Sequence, residues 1–321
     1  ALQDLVGAAI VINMQTGEVL AMASSPSFDP NLFDPANYNI VQLEETISNP
    51  YRPLINRVTQ GQYAPGSTFK VVTMASALES GLFNAEQIYY CGHSWNGLGT
   101  AYTKYDWTSE KGYAPSGNLD IVGALRRSCN PWFYQIGLSL HNWADYFLPD
   151  MSRKFGLGIP TGIIGLQQSI NEEVGGIIPS EDWATSAGIL WTAANTVHMA
   201  IGQGDMQVTP LQMAQLYAAL GNGGTIYRPQ LVRSIASPDQ SPILEFQPEV
   251  VSRLPVSDRT LSAVRQGLWE VVNDPSGTAN YRFRSMDIPI YGKTGTAEDR
   301  PRRPHAWFAG FTDAGRSDLP D

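Results

Sequence analysis

The hydrophobic pattern opens at Gly7. GAAIVINMQTGEVLAMA (Gly7–Ala23) sets two apolar, β-branched runs around a Gln15-Thr16-Gly17 turn, which predicts an antiparallel hairpin. A Pro-rich loop, SSPSFDPNLFDP, breaks the pattern, and Asn49 to Arg57 leads to the next apolar run. There Val71, Val72, Met74, Ala75 and Leu78 predict a helix that begins after Pro65-Gly66 and stops near Gly81. Apolar or small side chains surround most of its circumference, so it is expected to be a buried central helix. Residues 89–117, rich in Gly, Asn, Tyr and Trp, are predicted as loops. NLDIVGALRRSCN is helical, with Asn118 or Asp120 as cap, and helix restarts in PWFYQIGLSL after Pro131. The Gly- and Pro-punctuated stretch 155–179 predicts a crossing with little regular structure. VTPLQMAQLYAALGNGG has Thr209 as N-cap, Pro210 in the first turn and Gly221 as stop. SDRTLSAVRQGLWEVVND predicts an amphipathic helix, and IPIYGKTGTAEDRPRRPHAWFAGF two strands joined by a basic turn.

Strands at both ends and a mostly helical body predict an α/β fold of the α+β type, one sheet built from both termini and packed on helices. The sheet-bearing part is expected at about 1–80 and 255–321, the helical part at about 81–254. Composition adds little to this picture, but charge does. Only 16% of residues are charged and the formal net charge is −9, which fits an extracytoplasmic protein and argues against a nucleic-acid partner. No apolar run reaches the roughly 18 residues of a membrane helix. The chain starts almost directly in a strand and stops before a strand that would complete the sheet. That pattern predicts a piece of a longer polypeptide.

Chemistry is concentrated in three short motifs. Lysine is scarce (Lys70, Lys104, Lys111, Lys154, Lys293), yet one stands on the greasy helix, three residues after Ser67. At this helical spacing the Ser67 hydroxyl and the Lys70 amine can meet, and a desolvated amine can take the serine proton during nucleophilic attack. A helix cap with a snorkelling lysine is the bland alternative. Ser-x-Asn occurs four times, at Ser94/Asn96, Ser116/Asn118, Ser128/Asn130 and Ser169/Asn171. Context favours Ser128 and Asn130, which lie at a junction between two helices, where both can project into a cleft. Lys293-Thr294-Gly295-Thr296 holds the chain's one Lys-Thr-Gly, on a strand. Gly295 permits close approach of a substrate backbone, and Lys293 with the two threonine hydroxyls suits a carboxylate.

Together, and in this order, the three patterns resemble the transpeptidase domain of class B penicillin-binding proteins. The likeness runs through TGEVLAMASSPSFDPNLF, YAPGSTFK, SCN, FGLGIPTGI, GQGDMQVTPLQMAQLYAALGNGG, GKTGTAE and HAWFAGF. The resemblance implies a five-stranded antiparallel sheet between helices beside an all-helical region, here without its last strand and closing helix. It implies Ser67 as acylated nucleophile, Lys70 as its base, Ser128 and Asn130 on the far wall, and Lys293, Thr294, Gly295 and Thr296 on the strand wall. The backbone N–H groups of Ser67 and Thr296 would form the oxyanion hole. The implied reaction cross-links peptidoglycan stem peptides through an acyl-serine, is blocked by β-lactam antibiotics, and uses no cofactor or metal. A membrane anchor in the full-length protein and a glycosyltransferase partner in cell-wall synthesis are also implied.

Some residues depart from the family or stand outside it. The segment after PTGI reads IGLQQSINEEVGG where the family has an acidic, Gly-rich pattern. A β-lactamase would need a deacylating base, and neither Glu172 nor Glu173 is marked as one. A β-lactam sensor would usually carry Val in place of Asn130. A D,D-carboxypeptidase shares every motif. Cys129, between two site residues, reads as a buried thiol, with a bridge to Cys91 as the less favoured alternative. Arg300, Arg302 and Arg303 read as a solvated turn. The four histidines show no ligand spacing, and His305 reads as a strand residue.

Overall fold

The computed structural model describes residues 2, 5–37, 39–166, 172–299 and 301–313. Six strands matter to the site: β1 (Gly7–Ile12), β2 (Val19–Ser25), β3 (Tyr89–Cys91), β4 (Gly117–Leu119), β5 (Tyr291–Ala297) and β6 (His305–Phe311). The helices around it are α1 (Lys70–Glu79), α2 (Ile121–Arg127), α3 (Asn130–Ala144), α4 (Ala193–Met199), α5 (Pro210–Gly221) and α6 (Asp258–Asn273). β1 pairs antiparallel with β2, from Gly7 against Ser25, and β5 with β6, from Tyr291 against Phe311. Among the described residues these are two separate ladders, not the single sheet expected from the sequence. They meet instead on α5: a Cβ on Gly221 would lie 2.6 Å from Met14 Sδ and 3.0 Å from the Phe311 ring. Packing on one helix unites them, without a shared edge. No helix among the described residues is long and apolar enough to cross a membrane.

The central helix arises as its all-round apolar sequence predicts. A 3₁₀ turn over Gly66–Phe69 leads directly into α1, and every residue from Lys70 to Ala77 is buried. Phe69, Val71, Val72 and Met74 join Trp132, Phe133 and Ile136 of α3 and Leu268 of α6 in one core cluster. Tyr217 of α5 is buried there too, and its hydroxyl donates to the Thr68 carbonyl at 2.9 Å, which fixes the turn carrying Ser67 from below. The caps are those that the side chains favour. Asp120 accepts from Gly123 N at 2.6 Å, and Thr209 and Gln212 form a reciprocal capping box under Pro210.

Residues 89–117 differ from the predicted loops. β3 pairs with β4, residues 94–95 pair with 104–105, and Asp106 caps a one-turn helix over Trp107–Glu110. Strands of two or three residues carry no periodicity to detect. The reading of Cys129 as a free thiol is also corrected: it forms a disulfide with Cys91, the Cα atoms 6.1 Å apart. The β3–β4 pairing brings Cys91 to the α2–α3 junction, and both sulfurs are fully buried. Closing a loop across a separation of 38 residues is worth about 2–4 kcal/mol. Reduction, or the substitution Cys91→Ala, should therefore lower the urea unfolding midpoint by that equivalent. An unchanged midpoint would show that the bridge adds nothing to stability.

Candidate active site

Lys70 stands fully buried at the start of α1, three residues after the half-buried Ser67. Its Nζ donates to Asn130 Oδ1 at 2.7 Å, to the Ser128 carbonyl at 2.8 Å and to Ser128 Oγ at 3.3 Å, and sits 5.0 Å over the Phe133 ring. Burial pushes its pKa down to about 7, against the opposing pull of the Asp106 carboxylate. A neutral amine has two N–H bonds and one lone pair. Asn130 Oδ1 and the Ser128 carbonyl can only accept, so they take the two N–H bonds and the lone pair remains for a hydroxyl. The spacing of Ser67 and Lys70 lets the two groups meet. Among the described residues no hydrogen bond joins them; the amine is turned to Ser128 and Asn130 instead.

That segment is held in an unusual backbone shape. Ser128 ends α2 in the left-handed region, φ 55° and ψ 37°, which disfavours a residue with a Cβ by roughly 1–2 kcal/mol. Its N–H donates to the Leu125 carbonyl at 3.1 Å, and Trp107 Nε1 donates to the Arg127 carbonyl at 3.1 Å. Beyond it, the Asn130 N–H donates to Asp106 Oδ1 at 2.8 Å, while Asp106 Oδ2 accepts from the Thr108 hydroxyl at 2.6 Å. Asp106 is fully buried, so one carboxylate seats the first turn of α3 and places negative charge near Lys70. Nothing in the sequence marks it. Of the other Ser-x-Asn sequences, Ser94/Asn96 and Ser116/Asn118 have no hydrogen bond to Lys70, and Ser169/Asn171 lie outside the described residues.

β5 forms the opposite wall. Lys293 is fully buried, with Nζ donating to the Thr294 carbonyl at 3.1 Å; burial, and then the nearby Lys70, hold its pKa well below the usual lysine range. A Cβ on Gly66 would lie 2.6 Å from the Thr296 carbonyl, and one on Gly295 2.9 Å from the Pro65 carbonyl. The strand therefore lies directly on the turn that carries Ser67. Because the Thr296 carbonyl points at that turn, the Thr296 N–H, which shares its edge in an extended strand, points there too. The Ser67 N–H sits in the first turn of the 3₁₀ helix, where no intrahelical acceptor exists. Gln203, which lies in the family-like GQGDMQVTP stretch but is given no role by the sequence, donates from Nε2 to the Thr296 carbonyl at 3.2 Å. The Thr294 hydroxyl bonds the Thr278 hydroxyl at 2.8 Å. Further along the strand, His305 pairs with Asp299 at 3.2 Å and packs against Tyr63, Arg302 also pairs with Asp299 at 2.9 Å, Arg303 is exposed, and Arg300 lies outside the described residues.

Comparison with known proteins follows the same outline. The family model "Penicillin binding protein transpeptidase domain" matches residues 7–319. The chain belongs to this family. The peptidoglycan D,D-transpeptidase MrdA of Escherichia coli K12 is 31% identical over 292 residues, 91% of this chain and 44% of MrdA. A solved chain of a peptidoglycan synthase complex, studied for the coordination of polymerization and crosslinking, superposes with TM-score 0.81 at 32% identity, covering 98% of this chain and 50% of that one. Penicillin-binding protein A of Mycobacterium tuberculosis, solved as a ceftriaxone acyl-enzyme, gives TM-score 0.78 at 29% identity, over 96% of this chain and 65% of that one. The expected fold class is thus borne out over nearly the whole chain. The chain spans about half the length of the curated relatives it matches.

In this penicillin-binding domain the convergence depends on glycine. Gly66 N–H donates to the Gly202 carbonyl at 2.8 Å, and a Cβ on Gly202, at φ +71°, would fall 2.2 Å from the Gly66 carbonyl. Gly202→Ala should cost roughly 2 kcal/mol or more of stability, read as a lowered thermal midpoint. An unaltered melt would mean that the loops are not held in contact.

Proposed function

We propose that this chain is the catalytic domain of a peptidoglycan D,D-transpeptidase, which cross-links stem peptides through an acyl-serine on Ser67. One observation carries the reading: a fully buried lysine with a pKa of about 7 stands three residues from Ser67 and is gripped by Ser128 and Asn130. The Ser67 hydroxyl attacks the carbonyl carbon of the penultimate D-alanine, and its proton passes to the Lys70 amine. The N–H groups of Ser67 and Thr296 hold the developing oxyanion. Collapse breaks the C–N bond, and Ser128 passes a proton from Lys70 to the departing D-alanine amine. An amine of a neighbouring stem peptide then attacks the acyl carbon by the reverse route and leaves the cross-link. Asn130 orients the donor's amide, while Lys293, Thr294 and Thr296 receive its terminal carboxylate, with Gly295 letting the peptide lie close. No cofactor enters these steps.

A β-lactam presents the same carbonyl and carboxylate to these groups. Glu173 supports a long-lived adduct, because its carboxylate already holds the Thr161 N–H and hydroxyl, each at 2.6 Å, and the Gly162 N–H at 3.0 Å. It is engaged in structure and is no candidate for a deacylating base. The name of MrdA, and the acyl-enzyme form of the tuberculosis relative, support the same reaction class. By that likeness the domain works on the outer face of the bacterial cytoplasmic membrane, beside a glycan-polymerising partner.

Incubation with benzylpenicillin should add one penicillin mass to the intact protein, persisting for many minutes, and Ser67→Ala should abolish the adduct. A folded sample with no adduct would overturn the proposal, and rapid loss of the adduct would point to a β-lactamase. Lys70 is charged below about pH 7 and uncharged above it. The labelling rate should therefore rise about tenfold per pH unit below that value and level off above it. A rate independent of pH between 5 and 9 would remove Lys70 as the base.

A further inference from the structure

The loop after α6, residues 274–280, plays no part in the reaction described, yet it is tied down at both ends. At one end it is fastened to the wall that carries Ser128. Arg126 pairs with Glu270 at 2.9 Å and Asp274 at 3.5 Å, and Arg127, the residue before Ser128, donates to the Ser276 carbonyl at 2.6 Å. Within the loop, Asp274 Oδ1 accepts from the Ser276 N–H at 2.7 Å, and the Ala279 N–H donates to the Val271 carbonyl at 3.0 Å. A Cβ on Gly277 would lie 2.3 Å from that same carbonyl, so the turn sits hard against the end of α6. Asn280 Nδ2 adds bonds to the Val272 and Asn273 carbonyls at 3.1 and 3.2 Å. Thr278 is thereby carried to β5, its hydroxyl 2.8 Å from that of Thr294. The loop bridges the two walls of the cleft.

We propose that Thr278 is a positioning residue for recognition of the donor carboxylate: its hydroxyl donates to Thr294 Oγ1 and so turns the Thr294 proton toward the anion. This rests on the transpeptidase reading above. Two hydroxyls in contact share one hydrogen bond, in which one oxygen accepts and the other donates. If Thr278 donates, the proton of Thr294 is kept out of the pair and is oriented before any ligand arrives. An anion set between that proton and the Lys293 side gains a charge-assisted bond without first reorienting a rotor. Arg127, fixed to the same loop, adds positive charge at this end of the cleft. Thr278 touches neither Ser67 nor Lys70 by hydrogen bond and has no part in the acyl transfer itself.

The test compares benzylpenicillin with its methyl ester, which keeps the β-lactam carbonyl but lacks the anion. With the wild type, the acid should acylate faster than the ester. Thr278→Val should slow acylation by the acid roughly 3- to 10-fold, the worth of a hydrogen bond between neutral groups, and leave the ester nearly unchanged. Thr278→Ser should restore the preference for the acid. Adding Thr278→Val to Thr294→Val should cause little further loss, because the first residue acts through the second. Equal slowing of acid and ester, an unchanged acid rate, or a full additional loss in the double variant would each overturn the proposal. Thermal melts of every variant separate these outcomes from misfolding, and Thr278→Ser supplies the comparison if Thr278→Val melts early. A wild type that takes up neither compound would overturn the transpeptidase reading itself, and the role of Thr278 with it.

Discussion

A lysine without water constrains the rest of this molecule. Moving an ammonium group from water into a packed core is so unfavourable that the group either loses its proton or gathers acceptors, and Lys70 shows both responses. Its acceptors come from one short segment. Two of them lie on Ser128, a residue bent into the left-handed region, and the third is Asn130 at the start of the next helix. That bend persists because Asp106, Trp107 and the Cys91–Cys129 bridge fix the chain on either side. The apolar wrapping of α1, the short strands of residues 89–119 and the disulfide thus serve one end: they keep an amine dry while two polar side chains touch it.

The second requirement is contact between segments remote in sequence. β5 comes from the far end of the chain, yet it lies against the Ser67 turn closely enough that side chains at Gly66 or Gly295 would collide with backbone, and Gly202 meets the same turn from a third segment. Each missing Cβ lets a carbonyl approach. The gain is directional as well as spatial, because the edge of β5 then aims its N–H and C=O groups at the turn that carries Ser67 instead of at a neighbouring strand. Strand pairing with β6 on the opposite edge keeps that aim fixed.

Much of this was legible in the residues. Helix starts at Asp120 and Thr209 could be read because caps are local: a side-chain oxygen bonds an N–H two or three residues on, and the sequence displays both partners. The central helix was legible from its apolar circumference, and the two hairpins from alternation around a turn. The Cys91–Cys129 bridge was not, because pairing depends on how the β3–β4 ladder delivers one sulfur to the other. Asp106, Gln203 and Thr278 escaped notice for a related reason. Each acts on a residue between 16 and 93 positions away, and none lies in a pattern that repeats.

By itself the sequence determined the order of the long helices and of the two terminal hairpins, the mixed fold class and the three polar motifs, since spacing of three along a helix or two along a strand is a property of the local chain. Which partner each polar atom chose was decided only in three dimensions. Spacing let Lys70 meet Ser67, three residues before it, and the folded protein also turned the amine to groups 58 and 60 residues away. The reason is desolvation: once water is excluded, a hydrogen-bonding group takes the acceptors that tertiary packing brings to it, and sequence proximity no longer ranks them.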